Sequence, residues 1–246
     1  GGMIDAILRP LKDRLLTPLV GVISSFATPN QLSLLAFGVG LASGVAILAD
    51  KPSFAFGLWI LNRILDGLDG ALARTVEKVS DSGGYLDIML DFTVYAALPL
   101  AMIFHSPQIS LAQSGAVMLA AFYLNAASWM YLSALLEKRE AFNRSSADRG
   151  RIAGEDGTCP QERQPLKDIT HRDRQTSTVM PAGLVEGTET ILFYSLMILL
   201  PEWRAGLFWV CAGFTLVGVV LRFLGGWRLL LTMEIDRIKR HSTHSL

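Results

Sequence analysis

Apolar residues in this chain gather into long runs instead of alternating with polar ones, and those runs set its organisation. Breaking them at charges, prolines and glycines gives six stretches, roughly 30–49, 53–73, 83–105, 110–136, 180–201 and 205–233. A helix of about 20 apolar residues, rising about 1.5 Å per residue, crosses a hydrocarbon layer of about 30 Å. Six transmembrane helices are therefore expected. Connectors as short as Asp50–Lys51–Pro52 and Pro201–Glu202–Trp203–Arg204 make neighbouring spans antiparallel. The body is then a helical bundle, and the fold class is all-α, a polytopic membrane protein.

Two segments depart from this pattern. Residues 3–25 set Ile4, Ile7, Leu8 and Leu11 against Asp5, Arg9, Lys12 and Asp13 at helical spacing. That describes an N-terminal amphipathic helix lying in the membrane interface, or equally one packed on the surface of the bundle. Residues 137–178 are polar, aperiodic and long for a connector, which predicts a loosely structured loop. Its basic residues either attract lipid phosphates or simply mark a cytoplasmic loop. The expected organisation is an interfacial segment over 1–27, the first four spans over 28–136, a polar cytoplasmic loop over 137–178, the last two spans over 179–233, and a cytoplasmic tail over 234–246.

Composition agrees with lipid as the solvent: 51% of residues are hydrophobic, 18% are charged, and the mean hydropathy is +0.38. A net charge of zero hides an asymmetry. With both termini on one side, that side collects Arg9, Lys12 and Arg14, then Arg74 and Lys78, the run of Lys and Arg from Lys138 to Arg174, and Arg237 to Arg240. The other side keeps Lys51 and Arg204. Positive residues stay inside, so both termini are expected in the cytoplasm of a cell whose inner membrane holds the chain. Cys159 and Cys211 lie far apart in unlike surroundings and read as free thiols. Gly1 and Gly2 ahead of Met3 read as a tag remnant, with no cleavable signal peptide expected after them.

The chemistry lies in four carboxylates that a membrane helix should avoid: Asp66, Asp69, Asp87 and Asp91. Asp66 and Asp69 are three apart near the cytoplasmic end of the second span; Asp87 and Asp91 are four apart near the cytoplasmic start of the third. Each pair shares a helix face. A short turn through Ser82, Gly83 and Gly84 joins the spans, so the two pairs sit at one depth and can face each other. Four clustered carboxylates cannot all stay ionised without cations. Oxygen-only ligands suit Mg²⁺ or Mn²⁺, and two such ions about 4 Å apart can clamp a phosphoryl group. Gly67, Gly70, Gly83 and Gly84 leave backbone open to a bulky phosphate ligand, and Arg74 offers a planar fork of donors to its oxygens.

The run DGLDGALAR from Asp66, then eight residues, then GGYLDIMLD to Asp91, resembles the signature D-x2-D-G-x2-A-R-x8-G-x3-D-x3-D of the CDP-alcohol phosphotransferase family. Every fixed position is filled, by Asp66, Asp69, Gly70, Ala73, Arg74, Gly83, Asp87 and Asp91. The six-span layout and the stretch Thr28 to Ser33 ahead of the first span look alike as well. The resemblance implies transfer of a phosphatidyl or similar phosphoryl-alcohol group from a CDP-linked lipid, with CDP-diacylglycerol the expected donor, to a small alcohol, with release of CMP. It implies a homodimer, and no nucleic-acid partner. Carried over by residue, it makes Asp66, Asp69, Asp87 and Asp91 the ligands of two divalent ions. The resemblance also implies that Asp91 is the general base. It implies that Asp69, Gly70, Ala73, Arg74 and Gly83 contact the nucleotide. Asp91 is followed by Phe92, not by the lysine that glycerophosphate-using members carry, so the acceptor stays open.

Other polar residues in the apolar runs carry two readings each. Glu186 and Glu189 in the fifth span either line an acceptor pocket or pair with Arg63 or Arg222 to hold the bundle. Arg222 either binds an acceptor phosphate or neutralises a glutamate. Asn62 is read as interhelical hydrogen-bond glue, His105 as remote from the site, and the tryptophans mostly as interface residues. The rival function is a divalent-cation transporter. A transport pathway would place its acidic residues at successive depths, whereas these four cluster at one.

Overall fold

The protein is described by a computed structural model covering residues 26–75, 80–154 and 187–243. The expected N-terminal helix, Cys159 and Glu186 lie outside the described residues. All described regular structure is helical: α1 Pro29–Leu48, α2 Pro52–Thr75, α3 Asp81–His105, α4 Ile109–Gly154, α5 Gly187–Leu199 and α6 Arg204–Thr243, with a 3₁₀ turn at Pro201–Trp203. Among the described residues, four stretches are long and apolar enough to cross a membrane: Pro29–Leu48, Asp81–His105, Ile109–Arg139 and Pro201–Met233. Helix α2 has the length, at 24 residues, but carries Arg63, Asp66, Asp69 and Arg74. Helix α5 is apolar but only 13 residues long as described.

Local chemistry places the helix starts. Thr28 caps α1: its Oγ1 accepts from the Gln31 amide at 3.4 Å, while the Gln31 side chain accepts from the Thr28 amide at 2.9 Å, and Pro29 fills the first turn. Ser80 caps α3, its hydroxyl accepting from the Gly83 amide at 3.1 Å, with Asp81 in the first turn. Helix α3 therefore begins at Asp81, and Gly83 and Gly84 belong to its first turn, not to a connecting loop. The tight corner before α2 is made by Asp50, which adopts φ 55°. Helix α4 runs through 137 to Gly154, into the expected polar loop, whose remaining residues 155–178 lie outside the described residues. Leu135, Leu136, Glu137, Lys138 and Arg139 are strong helix formers, so the helix has no reason to stop where its apolar run does. Helix α6 likewise continues past 233 to Thr243, into the expected tail.

The chain forms two compact units, residues 1–125 with 182–219, and 126–181 with 220–246. In the second, a Cβ added at Gly226 of α6 would lie 3.1 Å from Leu132 Cδ2, so the glycine permits close helix packing there. The first unit holds the main core, centred on Trp59, Leu98, Met102, Tyr194, Met197 and Phe208. Small residues set its helix spacing. A Cβ on Gly40 would meet Val94 Cγ2 at 2.8 Å and Asn62 Nδ2 at 2.9 Å, so α1 can approach α2 and α3 only with glycine there. Polar bonds close the same seam: Ser43 Oγ donates to the Ala55 carbonyl at 2.8 Å and Asn62 Nδ2 to the Ala36 carbonyl at 2.7 Å. Asn62 is thus the interhelical glue its position predicts. Trp59 differs from the interface reading, because it is fully buried and stacked on Tyr194 with ring centroids 5.3 Å apart.

Candidate metal centre

Two helical stripes build the site. On α2 the inward positions run Ala55, Trp59, Asn62, then Asp69 and Leu72, with Asp66 on the same face. On α3 they run Asp87, Asp91, Val94, Leu98, Met102, again at three- and four-residue steps. Each stripe is apolar at one end and acidic at the other. Packing the apolar ends in the core therefore brings the acidic ends together.

Asp66, Asp69 and Asp87 each offer a carboxylate oxygen, and the three atoms lie within 4.8 Å of one another. Asp69 is only 5% exposed, and its Oδ2 is buried without a hydrogen-bond partner. A buried carboxylate oxygen with no donor is costly unless a cation takes that place. Three hard oxygens this close together, with an orphaned carboxylate oxygen on Asp69, fit a hard divalent ion. Beside them a small cleft between α1, α2 and α3 is lined by Ser33, Asn62, Asp66, Asp87 and Asp91 among others.

Asp91 borders this trio in the same cleft and is paired with Arg63. Its Oδ1 accepts from Arg63 Nη2 at 2.7 Å, and its Oδ2 lies 3.5 Å from Arg63 Nη1. Arg63 Nη1 is also 3.6 Å from Asp66 Oδ2. The guanidinium is held by Nε donating to Asn62 Oδ1 at 2.8 Å and Nη1 to the Tyr95 hydroxyl at 2.9 Å. It sits 4.9 Å and 5.0 Å from the centroids of the Trp59 and Tyr95 rings. Sequence reasoning offered Arg63 as a partner for the fifth-span glutamates. The structure pairs it with Asp91 and Asp66, because α2 faces α3 at that level and Asp91 lies within its reach. The available signal was position: Arg63 falls three residues before Asp66, on the same helix face and inside an apolar run.

The other expected residues are spread along the helices. Gly70 and Ala73 are half-buried on α2 and Arg74 is exposed; a Cβ on Gly70 would lie 3.5 Å from Arg74 Nη1, so the guanidinium covers the glycine. Gly83, one turn before Asp87, sits against Ser80 Oγ and Asn30 Oδ1, 2.9 and 3.2 Å from where a Cβ would be. Glu189 is half-buried on α5 with its Oε2 buried and without a partner, and Arg63 is engaged by Asp91, Asp66, Asn62 and Tyr95 instead. Arg222 is buried in the second unit. His105 Nε2 lies 3.4 Å from Asp50 Oδ1, at the opposite ends of α3 and α2 from the carboxylates.

Residues 26–149 match the sequence profile of the family described as CDP-alcohol phosphatidyltransferase. The chain is 34% identical over 204 residues to the inner membrane protein YnjF of Escherichia coli, covering 82% of this chain and 85% of that one. It is 39% identical over 64 residues to the archaetidylinositol phosphate synthase of Pyrococcus horikoshii, covering 26% of this chain and 34% of that one. Its fold is similar to the crystal structure of Mycobacterium tuberculosis phosphatidylinositol phosphate synthase with CDP-DAG bound, with a TM-score of 0.59 and 17% identity over 87% of this chain and 94% of that one.

Proposed function

The chain belongs to the CDP-alcohol phosphatidyltransferase family, and on that premise we propose that it transfers a phosphatidyl group from CDP-diacylglycerol to a small alcohol, releasing CMP, in phospholipid synthesis. One observation carries the reading: Asp66, Asp69 and Asp87 converge within 4.8 Å, with a buried Asp69 oxygen lacking any protein partner. A cation pathway would need carboxylates at successive depths, so the same convergence disfavours a transporter.

In this reading Asp66, Asp69, Asp87 and Asp91 hold two divalent ions, Mg²⁺ or Mn²⁺. Ions bound there would absorb charge on the phosphate oxygens and on the departing CMP. Gly70, Ala73 and Gly83 present backbone without bulk to the nucleotide, and Asp69 sits beside it. Arg74 donates to the diphosphate. Asp91 takes the proton of the acceptor hydroxyl as that oxygen attacks the phosphorus of the phosphatidyl group. The new P–O bond replaces the bond to CMP, which leaves as a phosphate monoester. Glu186, Glu189 and Arg222 are proposed for the acceptor, with the unpartnered Glu189 Oε2 ready to accept a hydrogen bond from a hydroxyl. Six spans, both termini and the active site toward the cytoplasm of a bacterial inner membrane, and a homodimer complete the proposal.

The test is CMP release from CDP-diacylglycerol by the purified chain with Mg²⁺ or Mn²⁺, across a panel of alcohols. Inositol phosphate goes first, because two of the similar proteins are named as synthases of inositol-phosphate lipids. Acceptor-dependent CMP release that Asp91→Asn abolishes is the expected result. Failure of the chain to bind CDP-diacylglycerol or to release CMP with any acceptor would overturn it.

A further inference from the structure

We propose that Arg63 is a resident cation of the metal centre, holding the share of it that belongs to Asp91. Resting on the metal reading above, this means that the free protein takes one divalent ion on Asp66, Asp69 and Asp87, and that a second must win Asp91 from the guanidinium.

Arg63 is not a surface charge that happens to reach an aspartate. Its side chain is 7% exposed, and every part of it is engaged. Nε is fixed by Asn62 Oδ1 at 2.8 Å, and Asn62 is fixed in turn by the Ala36 carbonyl of α1 at 2.7 Å. The guanidinium carbon lies over both the Trp59 and the Tyr95 ring, which meet edge to face. Trp59 is itself stacked on Tyr194, whose hydroxyl donates to the Tyr95 carbonyl at 2.6 Å. Four helices, α1, α2, α3 and α5, therefore hold the arginine in place. A long side chain normally swings to follow its partner; this one would have to break a buried network to do so.

Its placement divides the carboxylates. Asp66, Asp69 and Asp87 offer oxygens within 4.8 Å of one another, Asp91 is bound to Arg63 through a 2.7 Å charge-assisted bond, and Asp66 is the shared member, its Oδ2 3.6 Å from Arg63 Nη1. Charge sets the order of loading. Four carboxylates and one guanidinium leave three net negative charges at the site. A first divalent ion reduces that to one, and a second makes the site net positive beside a cation that cannot retreat. The second ion is then held weakly until a ligand's diphosphate restores negative charge. Arg63 thus ties full loading of the site to arrival of the nucleotide.

The experiment is a Mn²⁺ titration of the full chain in detergent, without nucleotide, counting bound ions from the electron paramagnetic resonance signal of free Mn²⁺. The wild type is expected to bind one ion, and a second at least about tenfold more weakly. Arg63→Met should narrow that gap by about tenfold, while Arg63→Lys and the exposed-cation control Arg74→Gln should leave it. An unchanged gap in Arg63→Met, a gap that Arg74→Gln closes equally, or two equal steps in the wild type would each overturn the proposal while leaving the metal reading intact. No Mn²⁺ binding in the wild type would overturn the metal reading itself. If Arg63→Met fails to fold, Asp91→Asn decides: it should keep the first step at wild-type affinity and lose the second, and loss of the first step would refute the division of the carboxylates.

Discussion

Asp69→Asn should make the metal-free protein more stable and the metal-loaded protein less responsive. Asp69 is 5% exposed, its Oδ2 has no hydrogen-bond partner, and its neighbours Asp66 and Asp87 present oxygens within 4.8 Å. At that separation and an effective dielectric of about 20, each like-charged pair costs about 3 kcal/mol. Leaving a buried polar atom unsatisfied costs a further ~1–3 kcal/mol. Asparagine has the same shape, no charge, and an amide that can donate to either neighbouring carboxylate, so it relieves both terms. Even about 1 kcal/mol of relief should raise the melting temperature by roughly 2 °C in a chain of this size. Mn²⁺ at about 100 times its dissociation constant should stabilise the wild type by about 2.7 kcal/mol, and most of that gain should vanish in the variant. Melting curves of both proteins in detergent, with EDTA and with Mn²⁺, measure the two effects together. A variant that melts lower than wild type in EDTA, or keeps the full Mn²⁺-dependent rise, would refute the reasoning.

Three further outcomes rest on named residues. Gly40→Val should cost ~1–3 kcal/mol, because its first side-chain carbon already meets Val94 and Asn62 at 2.8 and 2.9 Å; an unchanged melting temperature would argue against the close seam between α1, α2 and α3. Glu189→Gln should raise the acceptor KM or lower turnover by about tenfold with CDP-diacylglycerol binding intact, whereas a lowered melting temperature with unchanged acceptor kinetics would assign its buried Oε2 a structural role. In a chain with its native cysteines replaced, single cysteines at Pro52 and Glu202 should react with an impermeant thiol reagent from outside intact cells, and one at Thr75 should not; the reverse pattern would invert the proposed orientation.

The amino-acid sequence alone determined the all-helical class, most helix positions and the identity of the acidic cluster. Lipid makes helix-length apolar runs legible, and a carboxylate inside such a run stands out against its surroundings. The spacing of Asp66 and Asp69, and of Asp87 and Asp91, was likewise enough to put each pair on one face, since that depends only on the helical repeat. Helix ends were less legible. The polar continuation of α4 to Gly154 carries no apolar signal, because a helix outside the bilayer core has no need of one. Only the tertiary structure decided how the polar side chains divide among partners. That Arg63 goes to Asp91 and not to Glu189, that Trp59 is a core residue and not an interface one, and that Asp69 keeps an orphaned oxygen all depend on which faces of α1, α2, α3 and α5 meet. The closeness of that meeting is set by residues such as Gly40, whose role is to be absent of side chain where Val94 and Asn62 arrive from two other helices. Pairing across helices is a property of distance in space, and a periodic pattern along one chain carries no record of it.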